Sequence, residues 1–441
     1  MKATQTPTVK RSPLFSVLTA NAISQVGDMM VAVAMPWFVL ETTGSVLNMG
    51  LTGAVVALGS MLSSLAGGPL VDGLGLRRAS VISDTTAGAA VVAIPALYLA
   101  GLLTFPQFLL LAFLISVLNP PGDLARRAMI PHLSDLAAMP LERANAADTA
   151  IPRLAQLVGP ILGGILIAVV GAANVLLINA TTFFLSALLV WVGVPAGSGF
   201  GHELRSEVGG RDDPHLFANP RLILSHARRY LTDLRQGLRF VLTNGLIISL
   251  AIVATVANLL EKPLMSVVAP LYAERFYGSA ASFGAMLSAF GIGALAGTLL
   301  FGLVGTRFPH RLTFVVCLLV APLFMLGPLA LRLPLSVVLA SVAVAGLLFG
   351  PMNTLSATAI QRSTPPAMLG RVFGTITALS MVGVVIGSVL AGVVVPQVGL
   401  VPTLLGMCAV YVVLAIVMAF NPALRAMDRE TPEEQLSEAR T

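Results

Sequence analysis

The feature that most restricts this chain is a series of twelve apolar runs, near residues 14–40, 47–71, 80–101, 105–122, 148–170, 174–194, 245–273, 280–304, 312–331, 335–357, 372–395 and 399–420. Each is near the length of about 20 residues that an α-helix needs to cross a bilayer. In hydrocarbon every backbone N–H and C=O has to find a partner within the protein, and runs of this length do so as helices. The chain therefore reads as an all-α polytopic membrane protein with twelve transmembrane helices. Only 10% of its residues are charged while 56% are hydrophobic, a balance that excludes a soluble enzyme and a disordered chain. The first run follows the basic head MKATQTPTVKR, yet it is long and contains Asp28. A cleaved signal has a short apolar core, so this run is expected to stay as a helix.

A formal net charge of +6 raises nucleic acid as a partner, but the basic residues are sorted by the runs. With the N-terminus inside, one side collects Lys2, Lys10 and Arg11; Arg77 and Arg78; Arg126, Arg127 and Arg143; the arginines of 205–239; Arg307 and Arg311; Arg362 and Arg371; and those of the tail. Arg275 and Arg332 fall on the other side, and Arg153 and Lys262 stay within the membrane. That is the positive-inside pattern: a multi-pass protein of the cytoplasmic membrane with both termini in the cytoplasm and no nucleic-acid partner. The one long hydrophilic stretch, 195–244, divides the runs six and six. The expected domains are thus a six-helix bundle over 1–194, a cytoplasmic linker over 195–244, a second bundle over 245–420 and a cytoplasmic tail over 421–441. In the linker Leu224, Ala227, Leu231, Leu234, Leu238 and Val241 recur at helical spacing with Arg221, Arg228 and Arg235 on another face. This predicts a basic amphipathic helix on the inner leaflet of the lipid bilayer.

The halves repeat. A shift of 234 residues superposes Pro36 on Pro270, Gly44-Ser45 on Gly278-Ser279, Gly50 on Gly284, Gly59 on Gly293 and Gly68 on Gly302. Two pseudo-symmetric six-helix bundles follow, with a site expected at the repeat interface near the membrane midplane.

Ionisable groups inside a membrane are costly and mark functional positions. Asp28 lies at the middle of the first run, beside Asn21 and Gln25, and is a candidate to take up and release protons. Its counterpart under the shift is Lys262, in Glu261-Lys262-Pro263 with Asn258 one turn before, so opposite charges could pair across the cavity. Adjacent residues of a helix point about 100° apart, so Glu261 and Lys262 cannot both face one site well. Arg153 enters the fifth run and is expected to neutralise Asp84 or Asp123. The fourth run has no arginine at mid-depth, and its Asn119-Pro120-Pro121 suggests a broken end, echoed by Gly350-Pro351. His132, His202, His215, His226 and His310 all fall in expected loops, and Cys317 and Cys408 have no companions, so neither a metal site nor a disulfide framework is indicated. Without a Walker-type phosphate loop the energy source left is an ion gradient, with no cofactor.

After the second run comes Gly68-Pro69-Leu70-Val71-Asp72-Gly73-Leu74-Gly75-Leu76-Arg77-Arg78. It resembles the loop signature of the major facilitator superfamily: Gly68, Asp72, Gly75 and Arg77 keep their places and Arg78 follows, while Gly73 and Leu76 stand where that signature is basic. The resemblance implies a gating loop whose Asp72 meets the start of helix 11, near Val372, where the helix macrodipole favours a carboxylate. In the fifth run Gly159-Pro160-Ile161-Leu162-Gly163-Gly164 resembles the antiporter motif of exporters in that superfamily, a bend and close-packing element expected to pivot against the eighth run at Gly293 and Gly297. The flanking IPHLSDLAAMPLERANAADTAIPRLAQ, LLINATTFFLSALLV and PPAMLGRVFGTI resemble the subgroup of macrolide and enterobactin-type exporters. The function implied is proton-coupled export of an amphipathic small molecule by alternating access, carried out by a monomer. A cationic drug suits Asp28 and Glu261, and an acidic siderophore suits Lys262 or Arg153. A lipid exporter of the same fold and a membrane sensor that moves nothing stand as alternatives.

Overall fold

A computed structural model describes residues 11–195, 232 and 234–428. Twelve helices among them are long and apolar enough to cross a membrane. In chain order they are α1 (Ser12–Thr43), α2 (Val46–Leu74), α3 (Leu76–Leu99), α4 (Phe105–Leu136), α5 (Leu141–Val170), α6 (Ala172–Gly193), α7 (Gly245–Tyr277), α8 (Ala280–Val304), α9 (His310–Ala330), α10 (Leu335–Ser363), α11 (Leu369–Val398) and α12 (Leu400–Phe420). Large apolar side chains such as Leu99, Val169, Leu303 and Phe420 stand on their outer surfaces, a distribution suited to lipid. The linker positions 196–231, with Leu224, Ala227, Leu231, Arg221 and Arg228, lie outside the described residues. Within the rest of the linker, 234–243 is helical, with Val241 buried and Arg235 exposed.

The described residues form two compact units, one taking in those of 1–38 and 55–226 and the other those of 39–54 and 227–441. In the first unit α3 packs along α6 and against both halves of α4. In the second, α8 packs along α10, α7 along α11, and α9 against α10 and α12. The repeat is visible in the backbone. Gly44 and Gly278 both end the first helix of their half with φ +60, the left-handed conformation that glycine adopts without a Cβ clash.

Three boundaries differ from the hydropathy reading. α4 breaks at Asn119 as the Asn-Pro-Pro run suggests, but Pro120 then occupies the first position of a further helical segment, Pro120–Leu136, where its missing N–H is harmless. Asp123, Arg126 and Arg127 therefore belong to a helix and not to a loop. α5 likewise begins at Leu141. Gly350-Pro351 does not end its helix, because α10 continues to Ser363 and a methyl added at Gly350 would come within 2.5 Å of the Thr298 backbone nitrogen. In α7 the proline does interrupt the ladder: a π-helical turn, Leu264–Val268, follows Pro263 and absorbs the lost hydrogen bond.

Candidate functional site

In the first unit Asn21, Gln25 and Asp28 recur at spacings of four and three, and so share one face of α1. Every one of them is met by a polar group from α4 or α5. Asn21 Nδ2 donates to Asp148 Oδ1 at 2.9 Å, Gln25 Nε2 donates to Asp123 Oδ2 at 3.1 Å, and Asp28 Oδ2 accepts from Asn119 Nδ2 at 3.0 Å. Asn119 can reach Asp28 because it sits at the break of α4.

Beside this ladder lies Arg126, wholly buried although it carries a full charge. Its Nη1 donates to Asp84 Oδ2 at 2.6 Å and its Nη2 to Asp123 Oδ1 at 2.5 Å. Ser186 adds a hydroxyl to Asp84 Oδ2 at 2.6 Å, and Ser24 and Ser80 complete the shell around the guanidinium at 3.5 and 3.4 Å. Burial on this scale is tolerable only because the charge is paired and bonded at several points. Asp84 is fully buried, whereas the Asp123 side chain keeps a quarter of its surface exposed. One turn beyond the guanidinium, Met129, Ile130 and Leu133 join Leu14, Val17 and Leu18 in an apolar core. One cation thus stands among three carboxylates, Asp28, Asp84 and Asp123, and a proton is the small counter-charge such a set can add or lose.

The counter-ion expected from sequence has to be corrected. Asp84 and Asp123 do converge on an arginine, but it is Arg126 and not Arg153, which is exposed on α5. The sequence also places Arg126 in a loop, whereas it lies on the helical segment Pro120–Leu136. The signal it contained was Asp123 and Arg126 at i, i+3, followed by buried Met129, Ile130 and Leu133 at helical spacing.

In the second unit Glu261 is half-buried and Lys262 exposed on adjacent positions of α7, as the 100° rotation requires. Asn258 donates to the Ala254 carbonyl at 2.9 Å. Asp28 and its partner Asn119 belong to the first unit, Lys262 to the second.

The model of the Major Facilitator Superfamily matches residues 17–276 and again 250–440. The chain belongs to this superfamily. It is 30% identical over 421 residues to the multidrug efflux pump Tap of Mycobacterium tuberculosis, covering 95% of each chain. It is 31% identical to Tap of Mycolicibacterium fortuitum, covering 95% of this chain and 98% of that one. The enterobactin exporter EntS of Escherichia coli is 28% identical, covering 87% of this chain and 86% of its own. Among solved structures, a D-xylose-proton symporter superposes with a TM-score of 0.68 at 14% identity, covering 94% of this chain and 99% of its own. The nucleoside transporter NupG gives 0.63 at 14%, covering 95% and 100%. At such identities the likeness is one of fold.

The two facilitator motifs can now be placed. Gly68 and Asp72 lie in the last turns of α2, Gly75 makes the turn with φ +78, and Arg77 and Arg78 open α3. Arg77 turns back within its own unit: its guanidinium lies 4.5 Å over the Trp191 ring and Nη2 donates to the Trp191 carbonyl, clamping the end of α6. Asp72 and Arg78 are exposed. In α5, Gly159, Pro160, Gly163 and Gly164 are buried. A methyl added at Gly163 would come within 2.9 Å of the Met30 carbonyl oxygen and 3.0 Å of its Cα, and Gly159 presses on Met29. The close approach these glycines permit is therefore to α1, at the two residues after Asp28. In the second unit Gly293 and Gly297 pack against Ala343 and Leu347 of α10.

Proposed function

We propose that this facilitator is a proton-coupled exporter of amphipathic small molecules, working by alternating access as a monomer in the cytoplasmic membrane. Both its termini are cytoplasmic and it needs no cofactor beyond the proton gradient. The observation that carries the coupling is the set of buried Asp84 and half-buried Asp28 and Asp123 around the buried Arg126, beside the helix that the α5 motif grips. Proton uptake there changes the charge inside the helix bundle, where charge is costly, and so biases which arrangement is stable. Likeness to the Tap pumps over 95% of the chain supports export of more than one compound. An acid-rich site in an apolar bundle favours a lipophilic cation over an anion. Asp72 and its glycine turn would serve as the inner gate.

A second reading, an acidic siderophore as cargo, has the 28% identity to EntS and the exposed Lys262 in its favour. Flux in inside-out vesicles separates the two. With an imposed pH gradient, ethidium accumulation that collapses when the gradient is removed supports the first. Accumulation of a catecholate and not of ethidium supports the second. Binding without gradient-driven flux of either leaves a sensor and refutes both.

A further inference from the structure

Resting on the proton-coupled reading, we propose that Asp123 and Asp148 are further proton-exchanging groups. With Asp28 they form a path along one face of α1, whose rungs are the carboxamides of Asn21, Gln25 and Asn119. Asp148 is the end that opens to water.

The argument starts from what partners each carboxylate. Asp148, Asp123 and Asp28 each receive one carboxamide N–H, from Asn21, Gln25 and Asn119 respectively. A carboxamide is the neutral side chain that serves both protonation states of an acid. Its N–H donates to a carboxylate, and after rotation its oxygen accepts from a carboxyl O–H. The oxygens of Asn21 and Asn119 are buried with no hydrogen-bond partner among the described residues, so rotation breaks no other bond. Asp123 shares the guanidinium of Arg126 through Oδ1 and keeps the Gln25 carboxamide on Oδ2. Asp84 takes that guanidinium and the hydroxyl of Ser186 and, among the described residues, has no carboxamide whose oxygen could accept from a carboxyl O–H. Asp84 and Arg126 are then the fixed element, and the carboxamide-bonded acids are the ones built to change.

Position follows the same order. From Asn21 to Asp28 the face of α1 rises roughly 10 Å at about 1.5 Å per residue. The straight way past Arg126 is filled by the apolar core of Leu14, Val17, Leu18, Met129, Ile130 and Leu133. Asp148, on the flank, is 14% exposed and its Oδ2 lies 3.9 Å from Nε of Arg127, a side chain 53% exposed. The charged groups facing Asp123 are Arg126 of its own helix, Asp28 from α1, Asp84 from α3 and Asp148 from α5. Arg127 and Asp28's neighbour Gln25 flank the route, and α6 contributes the Ser186 hydroxyl. A proton taken from water at Asp148 turns that carboxylate into a carboxylic acid. Passing it on, with water as carrier, restores the carboxylate and leaves the acid at Asp123 and then at Asp28, so one proton and one charge move at each step.

Two measurements on the full chain test this. In proteoliposomes with a pH dye in the lumen, Asp148→Asn should slow ethidium-driven proton movement at least tenfold while ethidium counterflow stays within twofold of wild type. In pH-difference infrared spectra taken in H2O and D2O, Asp148→Asn and Asp123→Asn should each remove part of the titrating carboxyl stretch, and Asp84→Asn should remove none. Should Asp123→Asn fail to fold, Asp123→Glu should restore both signals, and Gln25→Leu should slow proton movement without touching the Arg126 pair. Wild-type proton movement in Asp148→Asn, or an undiminished carboxyl band in both variants, overturns the path and leaves coupling at Asp28 standing. A wild-type protein that moves no protons with ethidium overturns the coupled reading itself and the path with it.

Discussion

Removing the guanidinium of Arg126 should be among the most damaging single changes in the first unit. In Arg126→Met, Asp84 loses its 2.6 Å charged partner while remaining fully buried, and Asp123 loses its 2.5 Å partner. Breaking a buried ion pair from one side costs about 3–5 kcal/mol, because the surviving charge has no solvent to turn to. Asp123, a quarter exposed and still bonded to Gln25, should account for the smaller share. If the cost is that of an orphaned Asp84, removing the orphan repairs it. Arg126→Met combined with Asp84→Asn should then lie within about 1–2 kcal/mol of wild type, since an apolar replacement of a whole buried pair is often nearly neutral. The assay is a double-mutant cycle on equilibrium unfolding of the purified protein in mixed detergent micelles, with Arg153→Met as the exposed control. The reasoning fails if Arg126→Met costs under about 1 kcal/mol, or if the double variant shows the sum of the two single effects.

Further outcomes can be set out together. Gly163→Leu should lower transport and thermal stability while the protein still inserts, because even a methyl there comes within 3.0 Å of the Met30 backbone; unchanged flux would show that the α1 contact has no part in the cycle. Asp72→Asn should raise the inward-open population seen by distance measurements between spin labels, by up to about 2 kcal/mol if its carboxylate meets a helix N-terminus in the outward-facing state. No shift in a folded protein would retire the gate. Ser206→Cys, in the linker, should be modified by an impermeant thiol reagent in inside-out vesicles and not in intact cells; labelling from outside would reverse the proposed topology.

Much of the fold was legible because hydropathy and turn chemistry are local. The twelve spans, the break at Asn119 and the interruption at Pro263 all follow from residues within a few positions of each feature. The misplaced loop had one cause. Hydropathy treats an arginine as a reason for a helix to leave the membrane, so Asp123, Arg126 and Arg127 read as a loop. What keeps them in a helix is long-range: Asp84 is 42 residues from Arg126, and Ser186 is 102 residues from Asp84.

The candidate site divides in the same way. Asp28 stood out by its depth in an apolar run beside Asn21 and Gln25, and spacings of four and three place all three on one face of the helix that forms. Which groups meet that face was decided by tertiary packing. Asn119 arrives from the break in α4, Asp123 from the turn after it and Asp148 from α5, while the glycines of α5 close on Met29 and Met30. By itself the sequence determined how many helices cross the membrane and which residues are too polar to face lipid, because those depend on transfer free energies that each residue carries with it. It could not determine which buried charge neutralises which. That depends on distances between helices far apart in the chain, and only the folded bundle sets them.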